Sequence, residues 1–265
     1  MTLHYKGISI FYTDEGSGNP VVLLHGFLEN LTMWDAFIPK LSKNNRIICI
    51  DLLGHGKTEC LGYVHTMELM AEVVLAVLNH LKINKSTLIG HSMGGYVALA
   101  FAEKNPEKLN GLCLMNSTAL PDTEEKKQNR DRAIVAVKQN YKTFIRIAVN
   151  NLFRPKNRTA FADKIKDVVK EALQTPLQGI IAALEGMKIR NDRTHILKLS
   201  GFKKMMIVSK KDPVLDYSSL IGQTKNNNIK VVEFPDGHMS HIENESAFLI
   251  NIIHFIENSS VLSFI

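Results

Sequence analysis

The sequence predicts an α/β fold, a mostly parallel central sheet flanked by helices, with an all-helical segment inserted late in the chain. Three observations carry that prediction. Short apolar runs alternate with amphipathic ones along most of the 265 residues, as strands feeding crossover helices do. The alternation breaks at Thr118 and resumes near Met205, and the stretch between holds helical patterns but no convincing strand. Leu88-Ile89-Gly90-His91-Ser92-Met93-Gly94-Gly95 passes from an apolar strand through Gly-x-Ser-x-Gly into a helical run.

Taken in order, Ile8 to Thr13 reads as the first strand. The turn cluster Asp14-Glu15-Gly16-Ser17-Gly18-Asn19 then predicts an antiparallel hairpin into the strand Pro20 to Leu24, which is continuously apolar and so reads as buried on both faces. His25-Gly26-Phe27 follows, then a helix from Met33 to Leu41, then the buried strand Arg46 to Ile50 ending in Asp51-Leu52-Leu53-Gly54-His55-Gly56. Apolar residues at three and four spacing from Met67 to Leu81 predict an amphipathic helix that leads into the strand before Ser92. The helix after Ser92 runs to Lys104, where Asn105-Pro106 stops it, and Leu112 to Met115 is the next strand. Four helices are expected between Pro121 and His195, the first opened by a capping box of Asp122 with Glu125. Phe161, Ile165 and Leu173 share a face of the third, and Leu177, Ile180, Ile181 and Leu184 a face of the fourth. The strand Met205 to Val208, a helix Tyr217 to Thr224, the strand Lys230 to Phe234 and a closing helix Glu243 to Glu257 complete the chain. The division expected is a core of residues 1–118 and 198–265 with a helical cap of 119–197.

Composition excludes several classes of function. With 45% hydrophobic and 22% charged residues the chain is neither disordered nor membranous, and no apolar run is long enough to span a bilayer. The opening Met1-Thr2-Leu3-His4-Tyr5-Lys6-Gly7 has no apolar segment of a secretory signal, so the expected location is cytoplasmic. Cys49, Cys60 and Cys113 make no disulfide framework, and no metal-binding motif appears, so neither a metal nor a cofactor is expected. The formal charge of +6 is unevenly spread: residues 119–200 carry 17 Lys plus Arg against 9 Asp plus Glu, a net +8, and the remainder carries 15 against 17, a net −2. Solvated helix faces account for such an excess, and so does steering of an anionic substrate toward a mouth beneath this segment. Nucleic acid is not an expected partner, since the cations alternate with acids and lack aromatic platforms. The chain is expected to be a monomer or homodimer.

Strand, Gly-x-Ser-x-Gly and helix in that order form a nucleophile elbow. A serine in so tight a turn sits in strained backbone, and Gly90 and Gly94 remove the side chains that would collide across it. The turn lifts the Ser92 hydroxyl clear of the sheet and sets the Met93 N–H at a helix start, where it can meet developing negative charge. A serine hydroxyl needs a base and a group to orient that base. Asp212, in Ser209-Lys210-Lys211-Asp212-Pro213, and His238, in Asp236-Gly237-His238-Met239-Ser240-His241, both follow apolar strands, where open α/β sheets carry their functional loops. Asp216 competes with Asp212 but stands directly before a helical run, where it reads as an N-cap. His241 competes with His238. His25, His55 and His91 read as loop supports that hydrogen-bond, not as proton carriers.

With Ser92, Asp212 and His238 in this chain order, the chain resembles the α/β-hydrolase fold superfamily, specifically serine hydrolases with a helical cap. The resemblance runs from His25-Gly26-Phe27 through Asp51 to Gly56, the elbow, and Gly237-His238 with Glu243 five residues on. It implies that the base is the histidine directly after glycine, His238, and that the Phe27 N–H is the second oxyanion donor beside Met93, with Gly26 shaping that turn. One departure is Ser209, where the family has glycine three residues before the acid. The resemblance implies a carboxylesterase working through an acyl-enzyme, with a small-molecule ester as its partner. Its alternatives are a thioesterase, lactonase or C–C bond hydrolase on an anionic substrate, a lyase like that of the menaquinone pathway, and a ligand receptor that keeps the triad with little turnover. An arginine of the cap reaching the pocket (Arg130, Arg132 or Arg146) would favour the lyase.

Overall fold

The computed structural model describes residues 1–260, and within them the apolar runs assemble into one eight-stranded sheet. The strands are β1 (Thr2–Tyr5), β2 (Ile8–Gly16), β3 (Asn19–Leu24), β4 (Asn45–Ile50), β5 (Ser86–His91), β6 (Leu109–Met115), β7 (Lys203–Ser209) and β8 (Lys230–Phe234), in spatial order β1-β2-β4-β3-β5-β6-β7-β8. From β4 to β8 the pairing is parallel, while β1–β2 and β2–β4 are antiparallel. The helices are α1 (Ile38–Leu41), α2 (Met67–His80), α3 (Met93–Lys104), α4 (Glu124–Gln139), α5 (Tyr141–Asn150), α6 (Ala162–Ala172), α7 (Leu177–Lys188), α8 (Tyr217–Thr224), α9 (Ser240–Glu243) and α10 (Glu245–Ser260).

Side chains alternate across a strand, so each central strand feeds two cores. Val22, Leu24, Ile48 and Ile50 pack with α2 and α3 on one face, and Val21, Leu23, Ile47 and Cys49 pack with Trp34, α1 and α10 on the other. Cys49 and Cys113 thus serve as small buried hydrophobes.

Four local expectations are corrected. The hairpin from Ile8–Thr13 into Pro20–Leu24 does not form: β2 pairs with β4, Tyr12 opposite Ile50, and β4 lies between β2 and β3. A strand buried on both faces needs a neighbour on each side, and β4 takes the interior place that the local turn does not encode. The Met33–Leu41 helix is a 3-10 turn, Leu31–Trp34, followed by α1, which begins beside Pro39 where a missing N–H costs least. The closing helix is interrupted at Asn244. Lastly, Thr123 caps α4 by accepting from the Lys126 N–H, and Asp122, expected to cap, is turned inward and buried. β1 at the sheet edge was not foreseen, since its four residues alternate between exposed and half-buried and carry no long apolar run.

The segment between β6 and β7 holds α4 to α7, the four helices expected there. Its two ends meet, the Arg193 N–H donating to the Ala119 carbonyl at 2.8 Å, so the helices leave the sheet and return at one place. Among the described residues no helix is long and apolar enough to cross a membrane.

Candidate active site

The loops after β3, β5, β7 and β8 converge at the carboxyl end of the sheet. At the tip of β5, Ser92 holds φ 49 and ψ −112, a left-handed conformation that costs a non-glycine residue about 1–3 kcal/mol. The glycines around it are steric requirements, because a Cβ at Gly90 would strike the Gly94 backbone and one at Gly94 would strike the Leu24 and His25 carbonyls. The Ser92 N–H donates to the Met115 carbonyl at 2.9 Å and the Ser117 hydroxyl donates to the Ser92 carbonyl at 2.8 Å, so the end of β6 and the loop after it hold the strained residue.

After β3 the backbone turns sharply, with Leu28 at φ 63. His25 is the brace that its sequence position suggests: its Nε2 accepts from the Leu52 N–H at 2.9 Å, so Nδ1 carries the proton and lies 2.8 Å from the Gly26 carbonyl. Burial, the largest influence, keeps this imidazole neutral. Gly26 must be glycine, since a Cβ there would meet Glu29, His91 and the Ser92 side chain. Among the described residues neither the Phe27 nor the Met93 N–H is taken up by an acceptor, as two oxyanion donors require. His55 is likewise buried, its Nδ1 3.1 Å from the Leu53 carbonyl.

Asp212 and His238 come together from β7 and β8, with Nδ1 to Oδ2 at 2.8 Å and both side chains buried. Asp212 Oδ1 accepts from the Val214 and Leu215 N–H groups at 2.8 and 3.0 Å, and Oδ2 accepts from the Asn116 amide at 3.1 Å. Burial opposes the charge on this carboxylate, but His238 and these donors outweigh it and hold Asp212 below the usual carboxylate range. The two competitors go elsewhere. Asp216 caps α8 by accepting from the Ser219 N–H at 2.7 Å, and His241 is buried beside Trp34 and His91.

Two polar residues that sequence reasoning passed over join these loops. Glu29 Oε2 accepts from the Gly26 N–H at 2.8 Å and from His91 Nδ1 at 2.6 Å, and the other nitrogen of His91 faces the His238 carbonyl at 3.1 Å. With acceptors at both ring nitrogens, His91 must carry two protons. Burial works against that charge, but Glu29 raises its pKa, and His91 in turn holds Glu29 at about 2 against the opposing effect of burial. One buried ion pair therefore connects the Gly26 turn, the elbow and the His238 loop. His91 is indeed a loop support, through a pairing that a lone acid in a loop does not announce. Glu29, His91 and His241 set their ligand atoms within 4.8 Å of one another, a spacing that could span a cation, but the 2.6 Å contact within it is a hydrogen bond. Asn116, at φ 44, is the second such residue: its amide donates to Ser209 Oγ at 2.9 Å as well as to Asp212, and its carbonyl accepts from Ser240 Oγ at 2.6 Å. The serine that replaces the family's glycine thus helps to hold the acid loop.

The inserted helices cover this end of the sheet. Ser92 and His238 share a cavity of about 110 Å³ with Phe27, Leu28, Tyr96 and Val214 from the sheet side and with Arg130, Ala148, Leu152 and Met187 from the insertion. The base loop is fastened to that segment, the His238 N–H donating to the Leu152 carbonyl at 2.9 Å and Glu243 accepting from the Gly237 and Arg154 N–H groups at 3.0 and 3.1 Å. Arg130 lines the cavity, whereas Arg132 and Arg146 are exposed.

The alpha/beta hydrolase fold family model matches residues 19–245 of the chain. Among solved structures, a thermophilic esterase from Thermogutta terrifontis, determined with malate bound, superimposes with a TM-score of 0.88 at 31% identity over 97% of each chain. Among curated proteins, the chain is 29% identical to the dihydrolipoyllysine-residue acetyltransferase component of the acetoin cleaving system of Pseudomonas putida over 240 residues, 85% of this chain and 60% of that protein. It is 34% identical to the 2-hydroxy-6-oxo-2,4-heptadienoate hydrolase of the same species over 118 residues, 43% of each. The matched regions thus span 60% or less of these curated relatives. The family match over most of the chain, with an esterase fold superimposing along its whole length, places this protein in the α/β-hydrolase fold family.

Proposed function

We propose that the protein is a serine hydrolase that cleaves small carboxylic esters through an acyl-enzyme, with residues 119–197 as the cap over its site. The observation that carries this reading is the placing of a strained Ser92 in one cavity with His238, itself paired to Asp212 at 2.8 Å. In the mechanism His238 takes the Ser92 proton as Oγ attacks the ester carbonyl, and the Phe27 and Met93 N–H groups stabilise the oxyanion. Asp212 keeps the proton on His238 Nδ1, which leaves Nε2 free to act as base, and then stabilises the imidazolium. His238 returns the proton to the departing alcohol, and water repeats the sequence to release the acid.

A second reading, elimination on a carboxylate-bearing substrate, is favoured by Arg130 in the cavity. Turnover of short p-nitrophenyl esters, acyl-coenzyme A and lactones by the parent and by Ser92→Ala tests the first. Ser92→Ala is expected to lower kcat about a million-fold. Ester cleavage that survives this substitution unchanged would refute the serine mechanism, and a product containing no atom from solvent water would favour elimination.

A further inference from the structure

Asp122, the side chain that was expected to cap α4, instead lies fully enclosed between two guanidinium groups. Arg190 is not in the wall of the cavity that holds Ser92: its Nη1 reaches Asp122 at 2.6 Å and the Met187 carbonyl at 3.0 Å, its Nε donates to the Leu120 carbonyl at 3.2 Å, and its Cζ lies 4.2 Å from the centroid of the Tyr96 ring. Arg130 gives Nε and Nη2 to Asp122, but its Nη1 meets only the Met187 sulfur at 3.5 Å, and a thioether is a weak acceptor. Lys126 stands one turn earlier on the same face of α4. Burial lowers its pKa first, the positive charges of Arg190 and Arg130 lower it further, and Asp122 and Asp212 pull the other way. Three cations face one carboxylate, and Arg130 opens into the cavity that holds Ser92 and His238. That cavity has no acidic side chain in its wall and is otherwise mostly apolar.

We propose that Arg130 Nη1 receives a carboxylate of the substrate, so that the site takes half-esters of short dicarboxylic acids. The free carboxylate displaces the Met187 sulfur from Arg130, and the ester carbonyl lies over Ser92. A cavity of about 110 Å³ restricts the spacer between the two groups to a few carbons. Ser92 Oγ bonds to the ester carbon as the bond to the alcohol oxygen breaks. The alcohol leaves with the proton that His238 took from Ser92, and water then cleaves the acyl–serine bond to give the dicarboxylic acid and restore the hydroxyl. The bond that is cut rests on the esterase reading, whereas the anion site rests on the Asp122, Arg130 and Arg190 arrangement alone.

The two are tested separately. Calorimetric titration of Ser92→Ala with monomethyl succinate and with dimethyl succinate reads the anion site without turnover. The half-ester is expected to bind about 10- to 100-fold tighter, the range of a hydrogen bond to a charged group. Adding Arg130→Met should abolish that preference, Arg130→Lys should restore part of it, and Lys166→Gln, which removes an exposed charge from α6, should leave it intact. Asp122 keeps Arg190 as its partner in these variants, and thermal melting checks that they fold. Equal affinities, no binding of either ligand, or a preference that survives Arg130→Met overturns the anion site. In the turnover arm, the ratio of kcat/KM for half-ester over diester should fall by a similar factor in Arg130→Met. Binding preference without hydrolysis of either ester would overturn the esterase reading and leave the anion site standing, and hydrolysis with no binding preference would do the reverse.

Discussion

The strand-end loops and the inserted helices face each other across one cavity but are built differently. At the strand ends the side chains around Ser92 pair across loops, although Glu29 Oε1, His55 Nε2 and His241 Nδ1 are buried without a hydrogen-bond partner. Helix α3 buries ten of its twelve residues, Ser92, Leu28 and Asn116 hold positive φ, and Glu29–His91 and Asp212–His238 are enclosed pairs. In the insertion, α4 buries only Ile134 and Val137 of sixteen residues, and several of its cations pair at the surface, where an ion pair contributes about 0–1 kcal/mol. The exceptions are Asp122 with Arg130 and Arg190, and the buried Arg193 with Glu68 and Glu103. Strain at the strand ends is tolerable because a dense network overdetermines those residues, while the insertion is free to vary wherever it does not touch the cavity. On the proposed function, bond cleavage belongs to the first region and substrate choice to the second.

The largest effect expected at the strand ends, beyond loss of the nucleophile itself, comes from Asp212→Asn. It preserves shape but favours the wrong tautomer of His238, and kcat is expected to fall about ten-thousand-fold with KM little changed. Steady-state kinetics checks this, and a loss below tenfold would mean that Asp212 does not orient the base.

Glu29→Gln comes next. It strands the charge of His91 inside the protein, and losing one member of a buried ion pair costs about 3–5 kcal/mol. Urea unfolding measures the loss, and His91→Asn added to Glu29→Gln should recover part of it. A Glu29→Gln variant as stable as the parent would remove the pair from the account.

Proton linkage is the smallest effect per step. Burial holds His55 and His241 down to about 3 and His65 to about 4, and it also lowers His25. Such groups bind protons on unfolding, so stability should fall as pH drops from about 6.5, at about 1.4 kcal/mol per proton per pH unit. Glu29 adds to the loss below about 4.5, continuing toward its folded value of about 2. His91, with a raised pKa, acts in the opposite sense: its contribution is complete below about 6.5 and fades as pH rises through the folded value. Urea midpoints from pH 8 to pH 4 test the signs, and a flat profile below pH 6.5 would contradict them.

What could be read from the sequence follows the same division. Tyr217–Thr224 and Lys230–Phe234 match their predicted bounds because an N-cap, an amphipathic period and an apolar run are local signals. The elbow was legible because Gly90, Ser92 and Gly94 fall within five residues, although the backbone that Gly94 makes room for belongs to Leu24 and His25. The β2–β4 pairing was not, since a strand's neighbour is chosen by burial across the whole sheet. Glu29 and Asn116 escaped notice because their importance lies in contacts 62 and 96 residues away, to His91 and Asp212. Asp122 shows the same limit from the other side. A capping pattern was present in the sequence, but two distant positive charges and the adjacent Thr123 decided its role.

The most direct test of the central claim, that Ser92 is the nucleophile, is to quench the enzyme during turnover of p-nitrophenyl acetate and map the adduct by peptide mass spectrometry. An acetyl group on the Ser92 peptide of the parent, formed far more slowly in His238→Ala and absent from Ser92→Ala, is the expected result. Turnover with no acetyl group on Ser92 in any variant, or an adduct on another residue that forms equally in Ser92→Ala, would contradict it.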